Sequence, residues 1–148
     1  MEKLHFTVQI DAPAHAVWTT MLDDETYREW ASAFNEGSHY EGSWDLGSEI
    51  RFLGPEEDGT ISGMIGTVIE NRPHELVTVE YSGDIMQGVE RTGEEALFFG
   101  AQESYSFDES GGVTTVEVEV DTEEEYASMF DELWPAALAR LKELAEAR

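Results

Sequence analysis

The sequence predicts an α+β domain in which a curved antiparallel sheet of about six or seven strands wraps one long C-terminal helix, with two short helices after the first strand. Three observations carry this. Period-two alternation of apolar and polar residues recurs from Ser38 to Val120, a one-sided apolar stripe runs from Tyr126 to Leu144, and two short stretches at helical spacing follow the first strand. The chain has 148 residues, enough for one domain with a real core and too few for two comfortable ones, so residues 1–148 are read as a single domain.

Leu4, Phe6, Val8 and Ile10 alternate with His5, Thr7 and Gln9, the signature of a half-buried strand. Asp11-Ala12-Pro13 breaks it, and a proline suits a first helical turn, where its missing N–H has no partner to lose. Val17, Trp18, Met21 and Leu22 form the stripe of the first short helix. Asp23 or Asp24 is placed to cap a second, carrying Tyr27, Trp30 and Phe34. Strands are then predicted over Ser38–Gly42, Glu49–Leu53, Thr60–Glu70 and Leu76–Ser82, separated by Gly-, Pro- and Asp-rich breaks. Gly83 to Gly100 reads as a mobile loop leading into a strand that ends at Tyr105-Ser106-Phe107. Asp108 to Gly112 reads as a hairpin turn. Val113 to Val120 is the clearest strand, with Val116, Val118 and Val120 on one face and Thr115, Glu117 and Glu119 on the other.

Thr122 to Ala147 is predicted as the long helix, about 39 Å at 1.5 Å per residue. Thr122 and Glu125 have the spacing of a capping box, and Glu123, Glu124 and Glu125 sit where the helix dipole favours acids. Tyr126, Met129, Phe130, Leu133, Trp134, Leu138, Leu141 and Leu144 trace its apolar face. Pro135 removes the bond to the Asp131 carbonyl and predicts a kink.

Thirty-three acids against eight bases give a formal charge of −25. Two readings fit: a surface adapted to high intracellular salt, or an acidic patch for a basic partner. The acids are scattered, in runs no longer than Glu123-Glu124-Glu125, which favours the first reading. Nucleic acid is a poor partner for either, because like charge repels phosphates. No apolar run nears the roughly 18 residues of a membrane-spanning helix. The first residues pass straight into a strand pattern, and no cysteine is present. Together these predict no membrane insertion and a cytoplasmic location. His5, His15, His39 and His74 have no metal-ligand spacing, so no metal and no cofactor is expected. Nucleophile-elbow, P-loop and dinucleotide motifs are lacking, and no catalytic residue is assigned.

The stretch Ile10-Asp11-Ala12-Pro13-Ala14-His15-Ala16-Val17-Trp18, followed by Asp24-Glu25-Thr26-Tyr27-Arg28-Glu29-Trp30, resembles the opening of the START-like superfamily that includes the birch pollen allergen. It looks most like the branch named after the activator of the heat-shock-protein-ninety ATPase, as does Gly42-Ser43-Trp44-Asp45-Leu46-Gly47-Ser48-Glu49-Ile50-Arg51-Phe52. The resemblance implies a helix-grip fold with an internal cavity. The superfamily hosts lipid carriers, polyketide cyclases, stress proteins and chaperone regulators, so it specifies fold more than function.

Within that frame Trp18, Trp30, Phe34, Trp44, Phe52, Tyr81, Met86, Tyr105, Met129, Phe130 and Trp134 are the candidate ligand-binding residues. Aromatic rings supply an apolar wall with polar edges, and methionine adapts to varied shapes. For any one of them taken alone, ordinary core packing is the simpler reading. Tyr81 and Tyr105 are the candidates for orienting a ligand, while Glu80 and Glu103 are strand acids that are either buried or solvent-facing. The expected function is therefore binding of a small apolar or amphipathic molecule. Its rivals are a cyclase- or hydratase-type enzyme using one buried acid or tyrosine, and a chaperone regulator meeting a basic partner through the acidic surface.

Overall fold

In the structure, a computed structural model, residues 1–147 are described. Their element order is β1 (Glu2–Ile10), α1 (Ala14–Leu22), α2 (Asp24–Ala31), β2 (His39–Gly42), β3 (Glu49–Pro55), β4 (Ile61–Arg72), β5 (Leu76–Met86), β6 (Val89–Thr92), β7 (Gln102–Ser110), β8 (Val113–Thr122) and α3 (Glu124–Glu146). The strands pair antiparallel in the order β1-β8-β7-β5-β4-β3-β2, and β6 folds back on the far end of β5. The expected sheet and its gripped C-terminal helix are thus present, with eight strands.

Sheet curvature has local causes. Two irregularities interrupt the β4–β5 ladder, between Ile65 and Gly66 and between Val68 and Glu70. Each leaves a residue unpaired and bends the sheet, as bulges do. One inner face carries Val116, Val118 and Val120 from β8, Val77 and Val79 from β5, and Tyr105 and Phe107 from β7, all buried. Against it pack Val17 and Met21 of α1, Trp30 and Ala31 of α2, and Trp134, Leu138 and Leu141 of α3. The two short helices are tied by a hydrogen bond from Trp30 Nε1 to the Met21 carbonyl (3.0 Å). A second tie runs from the Tyr40 hydroxyl to the Leu22 carbonyl (2.6 Å).

Burial along α3 is uneven. From Glu124 to Leu133 no residue is fully buried; burial begins at Trp134 and continues through Ala137, Leu138, Leu141 and Ala145. The helix is seated along its C-terminal half and stands over a hollow along its N-terminal half. It continues through Pro135 from Glu124 to Glu146.

Several expectations are corrected. The segment from Gly83 to Gly100 is no simple loop: β5 runs on to Met86 and turns back as β6, and Gly93–Glu95 forms a 3₁₀ turn. Gln87 and Gly88 between the paired Met86 and Val89 both have positive φ (50° and 81°), as a tight two-residue hairpin turn requires. The capping box does not form. Thr122 ends β8 with its hydroxyl donating to the Glu123 carbonyl, and Glu123 caps α3 without a side-chain hydrogen bond. Asp23 is the cap residue of α2, again without a side-chain bond, and α2 stops at Ala31, so Phe34 lies in the turn beyond it.

Candidate functional site

The hollow under the N-terminal half of α3 is a cavity of about 310 Å³. Nine of its lining residues are aromatic, contributed by α2, β3, β5, β7, α3 and the segments beside them. Of the eleven candidates, Trp30, Phe34, Phe52, Tyr81, Tyr105, Phe130 and Trp134 line it. Four do not. Trp18 packs on Phe107 (5.2 Å between ring centroids) and His74, away from the hollow. Trp44 stands behind the wall, its ring 5.6 Å from Phe52 and 6.1 Å from Tyr105. Met86 and Met129 are exposed, Met86 as the last residue of β5 beside the β5–β6 turn and Met129 on the outer side of α3.

The polar centre of the cavity is Glu103. It stands on β7 two residues before the buried Tyr105, so strand alternation turns both inward. The Tyr81 hydroxyl donates to one carboxylate oxygen (3.1 Å) and the Tyr105 hydroxyl donates to the other in a short hydrogen bond. Among the described residues no lysine, arginine or histidine pairs with Glu103 or lines the cavity. Burial raises the Glu103 carboxyl above the ordinary glutamate range, by more than the hydrogen bonds from Tyr105 and Tyr81 lower it. The same burial, with the nearby Glu103 charge, pushes the hydroxyls of Tyr81, Tyr105 and Tyr27 well above the usual tyrosine value. All three phenols therefore remain donors throughout the physiological range.

Gly66 positions Tyr81. The two residues face each other across β4 and β5, and a Cβ on Gly66 would lie 3.2 Å from the Tyr81 ring and 2.6 Å from Val79. A side chain at 66 would push the phenol off its carboxylate. At the mouth, Asn35 Nδ2 donates to the Pro55 carbonyl (2.8 Å) and Ser38 Oγ to the Asn35 carbonyl (2.6 Å). These bonds hold the α2–β2 connection against the end of β3. Glu56 and Asp121 also border the cavity, and Asp121 is neutralised by Lys3 at 2.9 Å.

Sequence reasoning left Tyr27 out of the candidate set and did not decide Glu103. The inward phase shared with Tyr105 and Phe107 is the signal that finds Glu103. Glu80, by contrast, is exposed, the solvent-facing outcome of its alternation. On the outer face, His5 Nδ1 lies 3.4 Å from Glu119 and 3.6 Å from Glu117, a grouping set by the β1–β8 register rather than by spacing in sequence. It is a surface cluster whose imidazole and two carboxylates bring one atom each within 4.8 Å of one another.

No helix of the described residues is long and apolar enough to cross a membrane. Comparison with curated proteins finds no match. Among solved structures, the chain is similar to the protein NE0264 from Nitrosomonas europaea, with TM-score 0.75 at 13% identity over 98% of this chain and 94% of that one. It is similar to the AHSA1-like protein from Aeromonas hydrophila, with TM-score 0.74 at 17% identity, covering 99% and 93%. It is also similar to Aha1 from Colwellia psychrerythraea, solved as a dimer, with TM-score 0.70 at 18% identity, covering 99% and 97%. Identities this low establish the fold alone. A family model does more: residues 11–146 match that of the activator of Hsp90 ATPase homolog 1-like proteins, and the chain belongs to that family.

Proposed function

We propose that this chain binds one small, largely apolar molecule in the hollow between the sheet and α3, with the molecule's polar end at Glu103, Tyr81 and Tyr105. The observation that supports this reading most is an aromatic-walled cavity of about 310 Å³ with a hydrogen-bonded polar cluster centred on Glu103. That size stands at the lower end of small-molecule sites, and one apolar pocket with a few convergent polar groups is their usual composition. A guest burying on the order of 200 Å² of apolar surface gains about 5 kcal/mol before association costs. Apolar burial alone therefore supports weak binding, and the polar cluster decides selectivity.

The test is titration with a neutral, environment-sensitive fluorophore, alone and after filling the cavity. Ala31 is buried and borders the hollow, so Ala31→Phe projects a ring into it. The wild type should bind one fluorophore per chain, and Ala31→Phe, still folded by circular dichroism, should lose at least about tenfold in affinity. Equal binding by both proteins would refute the reading.

The raised Glu103 carboxyl favours a second reading, in which it exchanges a proton with a bound substrate as general acid or base. Glu103→Gln would then abolish turnover while leaving ligand affinity largely intact.

A further inference from the structure

We infer that the guest of this cavity is a small amine: an apolar, ring- or chain-bearing molecule whose protonated nitrogen sits against the Glu103 carboxylate and the faces of the surrounding rings. This rests on the cavity reading above and names the ligand class for it.

A carboxylate taken out of water normally finds a cation or several donors. Glu103 has two phenol donors, one on each oxygen, and no cation among the described residues. Two phenols occupy about half of the acceptor capacity of a carboxylate, leaving lone pairs on both oxygens for a third partner. The other acids beside it that are buried or half-buried are answered, while Glu56 at the mouth stands exposed in water. Asp84 has Arg91 at 2.7 Å, and Asp121 has Lys3. Glu103 is the acid at the cavity wall whose positive partner is missing among the described residues.

The walls point the same way. Trp30, Phe34, Phe52 and Trp134 present rings to the same hollow, with Tyr81 and Tyr105 beside the carboxylate. An ammonium enclosed by aromatic rings gains a cation–π attraction, largest where water is excluded. The charged groups bordering the hollow are Glu56, Glu103 and Asp121, all acidic. All three would repel a carboxylate or phosphate guest, which disfavours fatty acids and phosphorylated lipids in their ionised form. The overall charge of −25 adds long-range attraction for cations at low salt. A neutral alcohol can donate one hydrogen bond to Glu103 but leaves its charge uncompensated, so it should bind less tightly than the matched amine.

The experiment compares three probes of one shape: 2-(1-naphthyl)ethylamine, 2-(1-naphthyl)ethanol and 1-naphthylacetate. Each competes with the neutral fluorophore at pH 7.5 in about 0.5 M NaCl, where the Debye length falls to a few ångströms and non-specific attraction to the acidic surface is screened. The amine should bind about tenfold or more tighter than the alcohol, and the acetate weakest of all. In Glu103→Gln the amine and alcohol should converge to within about twofold. Glu80→Gln removes the same unit of charge from an exposed site and should keep the wild-type ratio. Should Glu103→Gln not fold, the order of the three probes on the wild type and on Glu80→Gln still decides the matter. Equal binding of amine and alcohol to the wild type overturns the inference, and so does tightest binding by the acetate. In either case fluorophore binding stands as evidence for the cavity. Absence of fluorophore binding overturns the cavity reading itself.

Discussion

Asp84 and Glu103 are two inward-facing acids on adjacent strands, and they have opposite fates. Asp84, on β5, is 1% exposed. It accepts from Arg91 Nε and a terminal guanidinium nitrogen (2.8 and 2.7 Å) and from the Leu97 backbone N–H (2.9 Å). Burial alone would raise its carboxyl, but these bonds bring it below the ordinary aspartate value. Glu103, on β7, faces an open hollow, is held by two neutral phenols, and stays above the ordinary glutamate value. Both are desolvated. What separates them is whether the chain supplies the positive charge. Where it does, the acid is a fastener, clamping β6 and the 3₁₀ turn to the end of β5. Where none of the described residues does, the acid keeps only its two phenol donors.

The largest effect should come from cutting the fastener. Asp84→Ala strands the Arg91 guanidinium and the Leu97 N–H, and the melting temperature should fall by roughly 8 °C or more, read by calorimetry. A fall of under about 2 °C would place Asp84 among ordinary surface acids. Next is Tyr105→Phe, which removes a buried donor from Glu103. It should lower the melting temperature by roughly 4 °C at pH 8, and by less near pH 4, where a protonated Glu103 no longer requires the donor.

The smallest effect, and the most diagnostic sign, belongs to Glu103→Gln. A carboxyl raised in the folded state contributes stability below the ordinary glutamate range and loses it as pH rises through the raised value. The neutral amide should therefore match the wild type in acid and equal or exceed it at pH 8 in thermal melts. Asp84 runs the other way: its contribution is present at neutral pH and drains as pH falls through the lowered value. A Glu103→Gln protein markedly less stable at pH 8 than the wild type would make the two acids alike and remove the contrast.

Much of the fold was legible because its signals are local. The alternation of β8 and the stripe of α3 each report their own burial, and the order of elements then leaves the helix only the inner face of the sheet to cover. The β5–β6 hairpin was not legible as structure. All of Val89, Glu90 and Thr92 are exposed, so β6 carries no burial pattern; it is held by edge pairing and by the Asp84–Arg91 bond, which joins residues seven apart through a turn marked only by Gln87-Gly88. The cavity was half legible. Aromatic residues at inward phase were found, whereas Met86 and Met129 were chosen for residue type and face solvent. Glu103 is inward by its phase with Tyr105, but its missing counter-charge is a fact about space, readable only once Arg91 is seen to be spent on Asp84 and Lys3 on Asp121.

Whether an amine guest supplies the cation that Glu103 lacks among the described residues can be read by following the Asp84 and Glu103 side-chain carboxyl carbons through a pH titration by NMR, with and without 2-(1-naphthyl)ethylamine. Asp84 should titrate below the ordinary aspartate value in both samples, while Glu103 should titrate above the ordinary glutamate value alone and move down when the amine is bound. Ordinary titration of Glu103, unmoved by saturating amine, would contradict the inference of an amine guest.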